Sequence, residues 1–474
     1  MVPILLHLPH SLKSLAPVLE QILDLTQQAV DHAHSDLPLH FPAWEQLCSA
    51  MGAAVEMALT GAVLQGCARD DRRLCIGGRV CRPVVVSTAT FYSMRGPVEV
   101  ARTLYRALDD RCGPAFDPVA LRCGCVRKTW LPATAAAMAF LLQQQPAREV
   151  VEALSTTGVL PYGRSSFEAV SSDVGELYQQ HAEDVETELV RQWKLPEGAT
   201  GVVLSLDRVA MPFEEPRPRG RGRPRKKAPK RSVQRVWHMA YCATVSVHDA
   251  HGKTLKTLRY GCMPSEHIEG VVEGMRDDVR ALLVQRPGLH VLVLCDGGAE
   301  MWTLLSEVKE SELECAIERL VDLWHLLEKL GKALRMRHDE QRARAELQRW
   351  KMRLLNVPGT WEKLRAELSS WGLSKGPGQD CPVHEALTFV SNQGEAGRLN
   401  YARARSQGQP VGSGVVEATC KSLVNVRFKR GGARWKQERA GRLIRLRALA
   451  LSERWDNAME LLLPRLRGEV RRVA

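Results

Sequence analysis

Two aspartates each close a run of apolar residues. Asp207 ends the segment GVVLSLD, and Asp296 ends the segment HVLVLCD. Such continuous runs are typical of central strands that are buried on both faces of a sheet. A carboxylate just past such a strand lies at the carboxyl edge of the sheet, where open α/β sheets bind ligands. If the two strands are neighbours, a cation is needed to relieve the repulsion between the carboxylates.

A third acid, Glu417, follows a Gly-Ser-Gly turn in the segment GSGVVE. The glycines allow a ligand to approach the backbone, and a helix N-terminus favours phosphate. At α-helical spacing, Glu417, Lys421 and Val424 lie on one face, which predicts an acid and a phosphate-binding lysine in the same cleft. Mg²⁺ is the expected cation because it prefers oxygen ligands. The alternative is that each aspartate caps the following element and that Glu417 is an ordinary first-turn residue.

The positive charge is concentrated in two segments. The chain has a net charge of +12, of which residues 214–235 carry +8 and residues 421–447 carry +9. The rest of the chain is therefore slightly acidic. Two basic patches on such a body predict docking to a polyanion, with nucleic acid the favoured partner. A solubilising loop and a solvated helix face are the alternatives.

The first basic segment contains the tract PRPRGRGRPRKKAPKR, residues 216–231. Its Arg221-Gly222-Arg223-Pro224 core resembles an AT-hook, in which extended arginines lie in a narrow minor groove. The alternative is a basic loop that binds phosphates without base preference.

The elements that must position the acids can be predicted from apolar periodicity. Three strands (201–207, 236–248 and 254–260), an amphipathic helix (265–285) and a further strand (290–296) predict a mixed α/β sheet. Residues 323–408 have a helical pattern, and a long basic helix is expected over 437–460. The first 200 residues are predicted to be mostly helical, with strands within 77–92 and 97–105. A turn at 158–166, with Arg164 opening the next helix, is compatible with a helix-turn-helix or with any helical hairpin.

Length and composition exclude several classes of protein. The 474 residues predict about three domains, and 45% apolar with 25% charged residues is ordinary for a soluble globular protein. We expect no membrane-spanning helix and no signal peptide, because no long apolar run is free of charge and the start lacks a basic region. The 13 cysteines are scattered, which favours reduced thiols over disulfides. The spacing of Cys112, Cys123 and Cys125 is not a usual zinc pattern.

Four motifs together resemble the bacterial insertion-sequence transposases of the DDE type, in particular the Kra-type group. That group has a last motif GSG-x-x-E followed by R-x-K-x-x-G-x-x-W. The motifs here are LSLD ending at Asp207, VLCDGG (293–298) with Trp302, DLWH (322–325) and GSGVVEATCKSLVNVRFKRGGARW (412–435). The resemblance is strong over residues 200–450 and weak before them. One departure is that Arg106 follows Tyr105 where relatives often carry paired cysteines.

The resemblance implies an α/β, RNase H-like mixed sheet with a helical insertion, plus a mostly helical N-terminal region. The implied domains are a DNA-binding region (1–195), the first part of the catalytic core (196–325), the insertion (326–410) and the last part of the core with basic helices (411–474). Asp207, Asp296 and Glu417 would be both the catalytic and the metal-binding acids, holding Mg²⁺ or Mn²⁺. Trp302 and His325 would be accessory residues, and His325 could contact a phosphate or make only a local hydrogen bond.

The implied activity is metal-dependent cleavage and strand transfer at transposon ends, with no covalent protein–DNA intermediate. The partners would be double-stranded DNA, the terminal inverted repeats and target DNA, bound by a cytoplasmic, nucleoid-associated homo-oligomer with no membrane association. Trp435 could stack on an unpaired base, although a core position is favoured. Two alternatives remain: another RNase H-like nuclease, or a catalytically idle DNA-binding relative. The expected DNA-binding residues are Lys421, Arg427, Lys429, Arg430, Arg434, Arg221 and Arg223.

Overall fold

The computed structural model describes residues 9, 13, 15–34, 41–217, 233–372 and 381–473. The chain divides into two compact units. The first comprises Met1–Val185 with Asp456–Ala474, and the second comprises Glu186–Trp455.

Up to residue 200 the chain forms seven helices and three strands among the described residues. They are α1 (Ala16–Ala33), α2 (Phe41–Cys67), β1 (Leu74–Ile76), β2 (Arg79–Ser93), β3 (Gly96–Ala107), α3 (Pro118–Cys123), α4 (Pro132–Gln144), α5 (Ala147–Leu154), α6 (Arg164–Gln180) and α7 (Ala182–Gln192).

From residue 201 onward strands and helices alternate at first, and helices then predominate. The elements are β4 (Gly201–Pro216), β5 (Val233–His248), β6 (Thr254–Cys262), α8 (Glu269–Gln285), β7 (His290–Cys295), α9 (Ala299–Leu305), α10 (Glu310–Leu313), β8 (Ile317–Val321), α11 (Leu323–Arg337), α12 (Glu340–Asn356), α13 (Thr360–Ser370), α14 (Pro382–Glu395), α15 (Tyr401–Ser406), α16 (Gly414–Thr419), a π-helix (Cys420–Asn425), α17 (Val426–Phe428), α18 (Gln437–Leu451), α19 (Trp455–Leu462), a 3₁₀ turn (Leu463–Leu466) and β9 (Val470–Arg472).

The second unit is built on a five-stranded sheet with the order β6-β5-β4-β7-β8. Strand β5 is antiparallel to both β4 and β6, whereas β4, β7 and β8 are parallel. The predicted meander of three strands, a crossover helix and a further strand is confirmed. The predicted fold class, a mixed α/β sheet compatible with an RNase H-like core, is confirmed as well.

Apolar side chains cover both faces of this sheet. One cluster includes Val202 and Leu204 of β4, Val293 of β7 and Leu282 of α8. A second cluster packs Phe213 and its neighbours on β4 and β5 against residues 420–448. Each such large side chain contributes about 1.5–3 kcal/mol when it is fully buried. The continuous apolar runs of the sequence therefore correspond to strands that are covered on both sides.

The helical insertion predicted between the last strand and the final acid is present as α11 to α15. Its core contains the fully buried indole of Trp350, whose ring centroid lies 6.1 Å from that of Trp371 in a stacked arrangement.

The basic helix predicted over 437–460 is interrupted, and the prediction of a continuous helix there is wrong. Helix α18 ends at Leu451, and α19 starts at Trp455. Glu453 adopts a left-handed φ of 59°, a conformation that ends a helix.

The first unit contains an antiparallel sheet with the order β3-β2-β1-β9 beside its helices. Strands β2 and β3 confirm the strands predicted within 77–92 and 97–105. The helices expected on either side of residue 158 are α5 and α6, and Arg164 is the first residue of α6, as predicted.

Helix α2 differs from the expectation that no helix could span a membrane. By length and composition alone, Phe41–Cys67 is long and apolar enough to do so, and 6% of its most apolar window is buried. Glu45 and Glu56 interrupt the apolar run, so the segment contains no long apolar stretch that is free of charge. A single helix of this kind is weak evidence for a membrane protein.

Candidate active site

Asp207 and Asp296 belong to neighbouring parallel strands. The register of β4 and β7 pairs Leu204 with Val293. The same offset of 89 residues relates Asp207 to Asp296, which directly follows the last residue of β7. The predicted parallel arrangement of the two strands is therefore confirmed, and the two acids lie at equivalent positions along them. The prediction that the first strand ends at Asp207 is wrong, because β4 continues to Pro216 in its pairing with β5, whereas Asp296 does lie just past the end of β7.

The Asp207 carboxylate is half-buried and has two hydrogen-bond donors. Its Oδ1 accepts a hydrogen bond from the Arg208 N–H at 2.7 Å, and the thiol of Cys420 donates to Oδ2 at 3.5 Å. Burial, followed by the negative charge of Asp296, raises the pKa of Asp207 above its ordinary value. A raised carboxyl pKa was expected for acids that repel one another.

The Asp296 carboxylate is held by a tight turn after β7. Its Oδ1 accepts a hydrogen bond from the Gly298 N–H at 2.8 Å. Gly297, between them, has a φ of 94°, and a Cβ atom there would lie 2.6 Å from the ring of Phe389. Only glycine satisfies both the backbone conformation and the lack of space.

Glu417 lies in the first turn of α16, after the Gly-Ser-Gly segment. Its N–H donates to the Ser413 carbonyl at 3.2 Å, which closes this turn. The side chain is half-buried. Its oxygen lies within 4.8 Å of ligand atoms of both Asp322 and His325.

Asp322 is a fully buried carboxylate that the sequence prediction did not assign a role. Its Oδ1 accepts a hydrogen bond from the His325 N–H at 2.9 Å, and Oδ2 accepts one from the Ser413 N–H. The His325 Nδ1 lies 3.3 Å from Oδ1. Burial opposes the charge, but the donors at His325 and Ser413 outweigh burial and lower the pKa of Asp322 to about 2. Asp322 is thus ionised, and both of its carboxylate oxygens accept hydrogen bonds.

His325 interacts electrostatically with all the acids of the site. Its contact with Asp322 is the main cause that raises its pKa, and the charges of Asp296 and Glu417 add to it against the effect of burial. The charge of His325 in turn acts on Asp207. The side chain of His325 therefore interacts electrostatically with all four carboxylates, those of Asp207, Asp296, Asp322 and Glu417.

The residues of the site fit a divalent cation. Among the described residues, Asp322, His325 and Glu417 form a group that could hold a metal ion. The oxygens of Asp322 already accept backbone hydrogen bonds, and an imidazole ligand suits Zn²⁺ better than Mg²⁺ or Mn²⁺. Asp207, Asp296 and Glu417, the predicted metal ligands, do not form such a close group among these residues, although carboxylate oxygens are the ligands that Mg²⁺ prefers.

The expected DNA-binding residues differ in their exposure. Lys421 and Arg434 are exposed, whereas Lys429 and Arg430 are partly buried. Arg427 is only 4% exposed, and its guanidinium carbon lies 5.0 Å from the ring centroid of Trp435. Such burial does not suit a phosphate contact. Arg221 and Arg223, with the AT-hook-like core, lie outside the described residues.

The shared face expected for Glu417, Lys421 and Val424 does not form. Lys421 is exposed, whereas Val424 is fully buried. The cause is the π-helix Cys420–Asn425, because its i→i+5 hydrogen bonds widen the turn and change the phase of the side chains.

The two tryptophans considered from the sequence are packing residues. The indole of Trp302 is 5% exposed, and the Arg398 guanidinium lies 4.1 Å from its ring centroid. The Trp435 Nε1 donates to the Phe428 carbonyl at 3.1 Å, and its ring packs in the cluster on β4 and β5. Trp435 therefore packs against the core, as favoured from the sequence, but it is only partly buried.

Three residues near the acids were not singled out from the sequence. Asp322 and Trp324 belong to the quoted DLWH motif, so the motif was the available signal. Cys420 belongs to the quoted last motif, but its contact with Asp207 could not be predicted because the two residues are 213 positions apart. Hydrogen bonding to Cys242, together with burial, raises the pKa of the Cys420 thiol, which keeps it a protonated donor.

Comparison with known proteins gives little further information. No family model matches the chain, and no match was found among curated proteins. Among solved structures, the chain is weakly similar to the Drosophila P element transposase strand transfer complex. The similarity has 15% identity and a TM-score of 0.25, and it covers 72% of this chain and 84% of that chain. At these values the similarity carries no argument about function.

Proposed function

We propose that this chain is a DDE transposase of an insertion sequence, of the Kra-type group, which cleaves DNA at transposon ends and joins it to target DNA. The observation that carries the proposal is geometric. Asp207 and Asp296 lie level on neighbouring parallel strands, Cys420, three residues after Glu417, donates to Asp207, and Glu417 lies within 4.8 Å of His325. Asp296 and Glu417 raise the pKa of His325, and the charge of His325 acts on Asp207. The acids that interact with His325 are therefore those of the four motifs on which the resemblance to DDE transposases depends.

In this proposal Asp207, Asp296 and Glu417 hold the metal. Two bound Mg²⁺ or Mn²⁺ ions would supply an activated water or 3′-hydroxyl and a stabilised leaving oxygen. The raised pKa of Asp207 reflects burial and unrelieved repulsion, and a cation relieves that repulsion. Asp322 holds His325 and the turn before Glu417 in place. The His325 imidazolium offers an N–H donor to a phosphate oxygen.

Basic residues would hold the DNA. Lys421, Lys429, Arg430 and Arg434 contact the backbone in this proposal, together with Arg221 and Arg223 of the basic tract. Arg427 is left out because it is buried. The partners are terminal inverted repeats and target DNA, bound by a homo-oligomer in the bacterial cytoplasm at the nucleoid. Phosphate contacts of this kind position the protein without reading the sequence.

A strand-transfer assay tests the proposal. Purified protein is incubated with Mg²⁺, supercoiled plasmid and oligonucleotides carrying the candidate terminal repeats. We expect joined products with the native chain and with a control variant, Glu385→Gln, because Glu385 is an exposed acid of the insertion. Cleavage without joining would identify another nuclease, and binding without cleavage would identify an idle DNA-binding relative. Either result would overturn the proposal.

A further inference from the structure

Trp324 presents a large aromatic surface to solvent beside the candidate active site. Its side chain is 58% exposed, although it directly precedes His325 in α11. An isolated exposed apolar residue is not unusual. An exposed indole next to a cluster of carboxylates and a histidine is a candidate for ligand contact, because tryptophan offers a rigid, flat face.

The indole is held in place by the turn that leads to Glu417. A Cβ atom at Gly412 would lie 3.1 Å from both Cδ1 and Nε1 of Trp324, so the glycine backbone lies directly against the edge of the ring. The Leu323 N–H donates to the Val411 carbonyl at 3.0 Å, one residue before this contact. Trp324 is therefore exposed but fixed relative to the acids.

A cation accompanies the ring. The Lys351 ammonium, from α12, lies 4.1 Å from the indole centroid. The ammonium covers one face of the indole, so a base would stack on the opposite face. This arrangement matches the two parts of a nucleotide, since a base stacks on the ring and a cation pairs with the phosphate. Inside duplex DNA both faces of every base are stacked, so a free base face is found only at a terminal pair or at an unpaired base.

We propose that Trp324 stacks on an unpaired nucleobase next to the strand end held by the acids, and that Lys351 pairs with the phosphate of that nucleotide. The proposal rests on the proposed function for the identity of the polymer and adds the residue that recognises an opened end. Trp435, considered for this task from the sequence, instead packs against the core, where its Nε1 donates to the Phe428 carbonyl.

The chain contains a matched control. Trp237 on β5 is 51% exposed and carries the Arg235 guanidinium 4.6 Å from its ring centroid. Asp207 pairs across the sheet with Cys242. Successive residues of a strand point to opposite faces, so Trp237 faces away from the side of Cys242 and Asp207. Trp237 thus matches Trp324 in its exposure and in having a cation over its ring, but it does not lie beside the acids.

The test uses the full chain, without divalent cation, and a duplex with or without a short 3′ overhang carrying 2-aminopurine. We expect Trp324→Ala to weaken binding of the overhang duplex about tenfold or more, to leave blunt-duplex binding nearly unchanged, and to abolish the quenching of 2-aminopurine. Trp324→Phe should retain most of both signals, and Trp237→Ala should behave as the native chain. Trp324→Leu keeps the apolar contact with Gly412 and should behave as Trp324→Ala.

Three outcomes would each overturn the stacking role. Trp324→Ala could weaken binding of blunt and overhang duplexes equally, or Trp237→Ala could weaken overhang binding as much as Trp324→Ala does. The third outcome is that 2-aminopurine quenching is unchanged in Trp324→Ala and Trp324→Leu. Because no metal is present, these outcomes do not depend on catalysis. Failure of strand transfer by the native chain would overturn the proposed function separately.

Discussion

The buried carboxylate of Asp322 accepts a hydrogen bond from the backbone N–H of Ser413, a residue 91 positions further along the chain. The same carboxylate caps α11 through the His325 N–H. One side chain therefore joins the start of the helical insertion to the turn that follows it. The position of Glu417 depends on this link, because the Ser413 carbonyl accepts the hydrogen bond of the Glu417 N–H.

Replacing Asp322 by alanine should destabilise the protein more than an ordinary loss of a helix cap. The change leaves the Ser413 N–H buried without its acceptor, which costs about 2–4 kcal/mol in total. Asp339 is the control, because it caps α12 in the same way but is exposed. Urea unfolding of the two alanine variants should show a clearly smaller loss for Asp339→Ala. Similar losses would mean that the link to Ser413 contributes little.

The contribution of Asp322 to stability should depend on acid pH. Its pKa falls from 3.8 to about 2 on folding, so its contribution of about 2 kcal/mol is complete above pH 4 and is lost as pH falls towards 2. The difference in unfolding free energy between the native chain and Asp322→Asn, measured by urea from pH 5 downwards, should shrink accordingly. A difference that stays constant with pH would contradict the lowered pKa.

The histidine should titrate above its ordinary range. Asp322, Asp296 and Glu417 all favour the imidazolium of His325, so its pKa is raised above 6.5. The ion-pair stabilisation is present at low pH and is lost as pH rises through this higher pKa. Side-chain NMR of labelled histidine should show a pKa above 6.5 that falls in Asp322→Asn. An unchanged pKa in that variant would remove Asp322 as the main cause.

The variants Asp207→Asn, Asp296→Asn and Glu417→Gln should each abolish cleavage and joining while DNA binding persists. The carboxylates would hold the metal, whereas separate basic residues would hold the DNA. Plasmid cleavage and gel-shift binding are measured side by side in Mg²⁺, so that the loss of cleavage and the retention of DNA binding are both checked. Near-native cleavage by any one of the three variants would remove that residue from the metal site.

Removal of residues 217–231 should weaken DNA binding and flatten its salt dependence, because nine Lys and Arg residues are lost. Affinities are measured over a salt series on A·T-rich and G·C-rich duplexes. An AT-hook predicts a greater loss on A·T-rich DNA. Equal losses of affinity on the two duplexes would exclude the AT-hook and indicate a loop that binds phosphates without base preference.

The sequence predicted those parts of the fold that depend on local pattern. The runs before Asp207 and Asp296 indicated buried strands because apolar continuity reports burial on both faces. The role of Asp322 was not predictable, since its partner Ser413 is distant in sequence. The burial of Arg427 was missed because a basic residue in a basic segment gives no sign of packing against Trp435. The phase change after α16 requires a π-helix, which α-helical spacing does not reveal.

The long hairpin of β4 and β5 also fixes a distance. The two strands pair without interruption from Asp207 to Pro216, where Pro216 faces Val233. Nine residues of extended chain span about 30 Å, the length of roughly nine base pairs of duplex DNA. The basic tract thus begins almost one helical turn from the acids. In the proposed complex, a duplex lying along the hairpin would therefore meet the basic tract a little less than one helical turn away from the acids.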